Sequence, residues 1–306
     1  MKKLIAIVLS TLMLALCFAC AAPAAAPAPE APAAEADPAP AAEAEAPAEA
    51  PAEEAEAPVE EATDDDWAYI SGKGNLVIGI TLFQPMNYYD DSNTLIGFET
   101  EFAQAVCDKL GLTPEFVEIN WDTKEIELAA KSIDCIWNGM TVTAERKENM
   151  SFTQSYIANR QIAVVKAENA ANYSTVESLA SANLVAEISS AGEGAIMSNE
   201  ALAANYTAVA KQADALMEVK SGTADVAVLD YVMARAMIGE GSDYEDLVIV
   251  DGLTLSTETE EYGIGLRLGS SATAKIDETI DAMIADGSLN AIAEKYGLSD
   301  VLLANQ

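Results

Sequence analysis

The chain of 306 residues contains no histidine. Serine–histidine and cysteine–histidine nucleophile chemistry is thereby excluded, as are histidine-ligated metals. Cysteine is nearly as scarce: of four, Cys17 and Cys20 lie within the first 20 residues, which leaves Cys107 and Cys135. Cys107 falls on an expected helix and Cys135 in an apolar strand, settings where a buried free thiol is commoner than a reactive one. An exported compartment would also permit a disulfide between them, and the sequence does not decide between the two states. Positive charge is short as well, with 16 Lys and Arg against 50 Asp and Glu. A formal net charge of −34 argues strongly against a nucleic-acid partner, which would be held through cationic side chains. It does not by itself call for a cationic ligand, because distributed carboxylates are usually a solvated surface. No cofactor and no metal are expected.

Long hydrophobic runs are missing, apart from one at the N-terminus. Lys2 and Lys3 precede an apolar run from Leu4 to Phe18, followed by Ala19-Cys20. That is the layout of a secretory signal, and it is short of the about 20 apolar residues a spanning helix needs. The small Ala19 before Cys20 resembles the lipobox of bacterial lipoproteins, which implies a lipid on Cys20 and attachment to the cell membrane. Cys17, behind the bulky Leu16, fits less well, and an ordinary cleaved signal is the other reading. Residues 1–20 are therefore a signal segment. Residues 21–66 hold nine of the 11 prolines and 14 of the 50 carboxylates, among alanines. Such a segment cannot bury a core and is expected to be a solvated tether, reaching ~140 Å if extended at roughly 3 Å per residue. The net charge divides into +2 for the signal, −14 for the tether and −22 for residues 67–306.

From Trp67 onward, strand and helix patterns alternate, which predicts an α/β fold with largely parallel sheets. Leu76–Ile80 reads as a strand. The helix from Phe98 repeats Phe98, Phe102, Val106 and Leu110 before Gly111 ends it. A strand from Phe116, a helix over Thr123–Lys131 and a strand over Ile133–Trp137 complete one small doubly wound lobe. A second set follows: strands at Gln161–Lys166, Leu184–Ile188 and Val226–Leu229, with helices after Ser190 and around Ala213–Val219. Val248–Val250 and Tyr262–Leu266 lead into helices near Ala272–Ala285 and Leu289–Tyr296. The expected architecture is two doubly wound lobes joined by a two-crossing hinge, with crossings near 161–166 and 250–258. Lobe 1 would comprise 67–160 plus 258–306, and lobe 2 would comprise 161–257. A cleft between such lobes is a preferred place for a small ligand.

One stretch points to chemistry. Residues 137–146 read WNGMTVTAER, a strand end running into a helix start. Thr143 is a plausible N-cap, with Arg146 at the third position of the helix. Free N–H groups at a helix start favour an anion, and a guanidinium fork can grip both oxygens of a carboxylate. A capped surface helix, with Arg146 paired to Glu145 or Glu148, would read the same way.

Taken in order, these residues resemble a family. The matching pieces are Gly79 through Pro85-Met86; LIGFETE over 95–101; Trp121-Asp122; Ile133-Asp134 leading into NGMTVTAER; Phe152 and Tyr156; EISSAGE over 187–193; GTADVAVLD over 222–230; Tyr262-Gly263; Asp286-Gly287; and Lys295-Tyr-Gly297. Each piece is weak alone, but order and spacing together are specific. Residues 67–306 resemble the polar amino-acid substrate-binding proteins of ABC importers, with the type II periplasmic-binding-protein fold.

The resemblance implies a lipid-anchored, extracytoplasmic receptor that closes on an L-amino acid and delivers it to a membrane permease and its ATPase, acting as a monomer and performing no catalysis. It implies that Arg146 holds the α-carboxylate with help from Thr141, and that the Gly139 carbonyl accepts from the α-ammonium. From lobe 2, Asp230 would be the counter-charge to that ammonium. Ser190 and the N–H groups that follow, beginning with Ala191, would close over the carboxylate. Phe83 and Trp121 would sandwich the ligand side chain, whereas Trp137, inside a strand, reads as core.

Each role has a structural alternative. Asp230 could cap the helix starting at Tyr231, Ser190 and Glu193 form an S-x-x-E capping pattern, and Phe83 and Trp121 could be core. Where many relatives have Gly-Thr this chain has Ser189-Ser190, and Ala144 replaces a frequent proline. An enzyme is the alternative function, since a few proteins of this fold, such as cyclodienyl-type dehydratases, eliminate water from small carboxylic acids; Glu187 or Asp230 would then serve as general acid.

Overall fold

The protein is described from a computed structural model covering residues 65–256 and 259–306. The expected signal, the Cys20 lipidation site and all of the expected tether before Asp65 lie outside the described residues. Folded structure begins slightly earlier than composition predicts. A helix runs from Asp66 to Lys73, and the Asp65 side chain accepts from the Ala68 N–H. Asp66 is buried, with its carboxylate 2.7 Å from Arg267 Nη2. The last two acidic residues of the tether-like run are thus a cap and half of an ion pair, which composition cannot distinguish from solvated charge.

Two five-stranded sheets organise the rest. The first runs Thr113–Glu118, Asn75–Ile80, Cys135–Ile136, Gly265–Arg267 and Met150–Phe152; the second runs Tyr206–Val209, Leu184–Glu187, Val226–Asp230, Gln161–Lys166 and Leu247–Thr254. Both are largely parallel in strand direction, as expected, but mixed, because each contains one reversed strand. In each, four strands point one way and a single strand, Gly265–Arg267 in the first and Gln161–Lys166 in the second, runs the other way between two of them. The parallel strands are joined through helices, as parallel pairing demands. Gly265–Arg267 and Gln161–Lys166 instead enter their lobes straight from the other lobe, without a crossover helix, and so insert against the parallel strands in the opposite direction.

The lobes are linked by an antiparallel ribbon in which Ile157, Ala158 and Asn159 face Tyr262, Glu261 and Glu260. The first crossing lies just before 161–166, because Ile162–Val165 are fully committed to the second sheet and buried there. The second crossing lies between Thr254, paired with Ile162 in the second sheet, and Glu260, paired with Asn159 in the ribbon; residues 257 and 258 are outside the described segments.

The helix Phe98–Leu110 buries Phe98, Phe102 and Val106, leaves Leu110 only partly buried, and ends where Gly111 turns left-handed at φ 69°. Its Phe102 ring meets Trp137 edge-on at 5.0 Å and Tyr156 at 5.4 Å, so Trp137 is core. The helices Ala272–Ala285 and Ser288–Lys295 pack back on this helix, returning the chain end to the first lobe. Cys107 and Cys135 are both free thiols, buried in this region. Burial pushes the Cys107 thiol up to about 12, which makes it inert as a nucleophile.

Gly97 sets how this helix begins. Its φ of 131° lies in a region open only to glycine, and an added Cβ would sit 2.1 Å from the Met86 carbonyl oxygen. Gly97→Ala is expected to lower the unfolding free energy in urea by about 3 kcal/mol. An unchanged midpoint would contradict this account of the helix start.

Candidate functional site

The C-terminal ends of the parallel strands of both sheets meet at one narrow cleft. Crevices outside strand ends are where open α/β sheets place ligands. The eight expected ligand positions all line it: Phe83, Trp121, Gly139, Thr141 and Arg146 from the first lobe, and Ser190, Ala191 and Asp230 from the second. Thr81, Leu82, Asn138, Glu187 and Gln212 line it as well. Of these five, Glu187 was considered only as a general acid. The others are the continuations of strands 75–80 and 135–136, plus a helix-first glutamine for which the sequence carries no local signal.

Arg146 is 8 % exposed and opens a helix that runs only to Asn149. It is therefore the first helical residue rather than the third, because residues 144–145 form the turn. Thr143 still serves the helix start, its Oγ1 accepting the Arg146 N–H at 3.1 Å. The guanidinium points inward. Nη1 donates to the Thr141 carbonyl at 2.8 Å and Nη2 to the Ser189 carbonyl at 3.1 Å, and no described carboxylate pairs with it. The surface pairing with Glu145 or Glu148 is not formed.

Asp230 is 4 % exposed and ends the strand Val226–Asp230. It makes no side-chain cap to the helix behind it. Its carboxylate accepts instead from the side-chain amides of Asn159, Gln161 at 2.8 Å, and Gln212. Burial raises its pKa, with the amide hydrogen bonds opposing that rise. The cleft thus presents a cation held by carbonyls and an anion held by side-chain amides, on opposite walls. Neither charge is neutralised by an ion pair among the described residues.

Ser190 is the N-cap of the helix Ala191–Met197, its Oγ accepting the Glu193 N–H at 3.1 Å. The Glu193 carboxylate reaches Ser189 N rather than Ser190 N, at 2.6 Å, so the expected capping pattern is shifted by one residue. Ser189 takes up the left-handed conformation itself, at φ 57°. The left-handed turn therefore forms on a serine, without a glycine. Ser189 also joins the lobes: its Oγ donates to Asp122 at 2.7 Å, and its carbonyl accepts from Lys124 Nζ at 3.2 Å as well as from Arg146.

On the floor of the cleft, Gly139 is left-handed at φ 55°, and an added Cβ would meet the Phe83 ring at 2.5 Å. The Gly139 N–H donates to both carboxylate oxygens of Glu99, at 3.0 and 2.9 Å, and the Tyr156 hydroxyl donates to the same group. Glu99 is completely buried, and burial lifts its pKa to about 7 against the pull of those bonds. Its support of Gly139 escaped the sequence reading. Glu99 lies within the LIGFETE segment, but nothing local shows which carboxylate turns inward. Phe83 and Trp121 are 3 % and 5 % exposed, and Lys124 Nζ lies 5.0 Å from the Trp121 ring.

Comparisons with known proteins agree with this geometry. The model of the bacterial extracellular solute-binding proteins, family 3, matches residues 76–299. The L-cystine-binding protein TcyJ of Escherichia coli strain K12 is 26 % identical over 234 residues, covering 76 % of this chain and 86 % of that protein. Among solved structures, Tv2483 bound to L-arginine superposes with a TM-score of 0.73 at 28 % identity, covering 79 % of this chain and 98 % of the other. The ancestral amino-acid-binding protein AncCDT-1, a precursor of cyclohexadienyl dehydratase, superposes at 0.67 with 26 % identity, over 74 % and 97 % of the two chains.

Glu99 generates a pH prediction. Its folded pKa lies above its unfolded value, so its contribution to stability is complete below about pH 4.5 and is lost as the pH rises through about 7. Glu99→Gln, which does not ionise, should gain up to ~3 kcal/mol relative to the native protein between pH 5 and 8. Urea unfolding across that range measures it, and a difference that stays flat contradicts the assignment.

Proposed function

The chain belongs to the bacterial extracellular solute-binding proteins, family 3, and from that premise we propose that its cleft clasps the backbone of an L-amino acid between Arg146 and Asp230. The family's curated relatives include binding proteins for cystine and arginine, and the ligand class carried over here is the amino acid itself. The observation that supports the clasp is the pair of buried, opposite charges without ion-pair partners, one on each lobe. A free amino acid brings the complement of both in one molecule.

The guanidinium of Arg146 takes the α-carboxylate as a fork, with Thr141 and the N–H groups of Ser190 and Ala191 around it. Asp230 takes the α-ammonium, and the Gly139 carbonyl accepts from it. The side chain lies between Phe83 and Trp121. Each lobe alone satisfies only part of the ligand, so contacts from both favour closure about the ribbon 157–159/260–262. The closed form is the species presented to a permease and its ATPase. Tethering through a lipid on Cys20 and the acidic segment after the signal would keep the monomeric receptor at the outer face of the membrane.

A dehydratase on this scaffold is the competing reading, and one feature favours it. Glu187 has a pKa raised to about 8 by burial and by the neighbouring Asp230, a range suited to a general acid. Against it, Asp230 is set to receive an ammonium, which a prephenate-like acid lacks. The protein is expected to show no turnover of prephenate, and measurable turnover would replace the transport reading.

Two binding experiments test the proposal. A ligand at a hundred times its Kd stabilises the native state by about 2.7 kcal/mol, which in a domain of this size raises the melting temperature by about 5–10 °C. A thermal-shift screen of the L-amino acids should show such a rise for one or a few. By calorimetry, Arg146→Ala and Asp230→Ala should each cost about 3 kcal/mol of binding, roughly a hundredfold. Near-native affinity in both variants would remove the clasp from the account.

A further inference from the structure

Three of the side chains lining the cleft are ionisable: Arg146, Asp230 and Glu187. The first two match the α-carboxylate and α-ammonium that every amino acid carries, and Glu187 is left over. It ends the strand Leu184–Glu187, is 4 % exposed, and receives no hydrogen bond or ion pair at its carboxylate from any described residue. The nearby Lys124 does not neutralise it at ion-pair distance. That ammonium is 3 % exposed and donates to the carbonyls of Trp121 and Ser189, at 3.1 and 3.2 Å. A buried carboxylate with acceptor capacity on both oxygens, facing a ligand cleft, is satisfied by a ligand cation or donor and repels a ligand anion. The aromatic faces of Phe83 and Trp121 line the same space, and aromatic faces attract cations.

We propose that Glu187 is the specificity-determining residue of this cleft, selecting amino acids whose side chains carry a positive charge. The proposal rests on the reading of the cleft as an amino-acid site. Within it, Arg146 and Asp230 fix the ligand backbone, and Glu187 meets the far end of the side chain.

Proton balance supplies an independent readout. Asp230, Lys124, Asp214 and Arg146 face Glu187 electrostatically. Burial first, and then the charge of Asp230, lift its pKa to about 8, against the opposing pull of Lys124. In the ligand-free protein at pH 7 the carboxyl is therefore mostly protonated. A cationic side chain arriving beside it stabilises the carboxylate, and the proton leaves to solvent. A neutral side chain leaves the proton in place. Affinity for a cationic ligand thus rises with pH up to about 8 and is weakened below it.

The test is isothermal titration of the full chain with L-arginine, L-lysine, L-citrulline and L-norleucine. L-citrulline is nearly isosteric with L-arginine but uncharged. The expected result is at least tenfold tighter binding of L-arginine or L-lysine than of their neutral counterparts. Binding of the charged ligand at pH 7 should release most of a proton more than binding of the neutral one, read from the dependence of the heat on buffer ionisation enthalpy. Glu187→Gln should bring the charged-to-neutral affinity ratio to near unity and abolish the extra proton release, and thermal unfolding shows whether the variant is folded.

Equal affinity of the native protein for the charged and neutral ligands overturns the proposal without recourse to any variant. So does a folded Glu187→Gln that keeps the preference. Binding of L-citrulline or L-norleucine alone would overturn the selectivity while leaving the amino-acid reading intact. Failure of these four and of every other L-amino acid to bind would overturn both.

Discussion

The structure depends on keeping two opposite charges buried and apart. Arg146 is held by the Thr141 and Ser189 carbonyls, and Asp230 by the amides of Asn159, Gln161 and Gln212. Hydrogen bonds to neutral groups keep a buried charge from being prohibitive but leave its field unneutralised. Had the two side chains been close enough to pair, the site would have been satisfied without a ligand. The lobe division prevents this, because Asp230 ends a strand of the second sheet whereas Arg146 opens a helix of the first lobe, and the hinge sets how near the two come.

Around that constraint, the rest of the site is arranged to hold geometry. Glu99 fixes the Gly139 peptide from below, and Phe83 fills the space that any side chain at 139 would need. Ser189 draws the lobes together through three groups at once: its hydroxyl to Asp122, and its carbonyl to Lys124 and Arg146. The Arg146 contact to Ser189 uses part of the same fork that the proposed carboxylate needs. Closure of the lobes and seating of a ligand are therefore coupled through one guanidinium. This differs from a rigid pocket, where binding would not change the contacts between lobes.

Much of the fold was legible from the chain. The helix Phe98–Leu110 shows its apolar repeat and its terminal glycine, and the helix Ala272–Ala285 is fixed by its pattern, because these are local signals. The one reversed strand of each sheet was not legible. Whether Gly265–Arg267 lies parallel or antiparallel depends on the strand having arrived from the other lobe, which no window of sequence contains. The motif at 137–146 exposed Arg146, since a strand end, a cap and a cation coincide there. Glu99 and Gln212 escaped, because a carboxylate in an acidic protein and a glutamine at a helix start look the same whether they face solvent or a cleft. Glu187 was visible only as a possible acid. Its place in the cleft depends on the second sheet turning that strand end inward. Asp66 illustrates the opposite error, a buried ion-pair partner hidden within a low-complexity acidic run.

The central claim is that the ligand's two backbone charges bridge the lobes through Arg146 and Asp230. A crystal structure of the protein grown with the amino acid that most raises its melting temperature tests this most directly. The account predicts the α-carboxylate within hydrogen-bond distance of the Arg146 guanidinium and the α-ammonium within hydrogen-bond distance of the Asp230 carboxylate. A ligand bound elsewhere, or one in the cleft whose backbone charges touch neither residue, would contradict it.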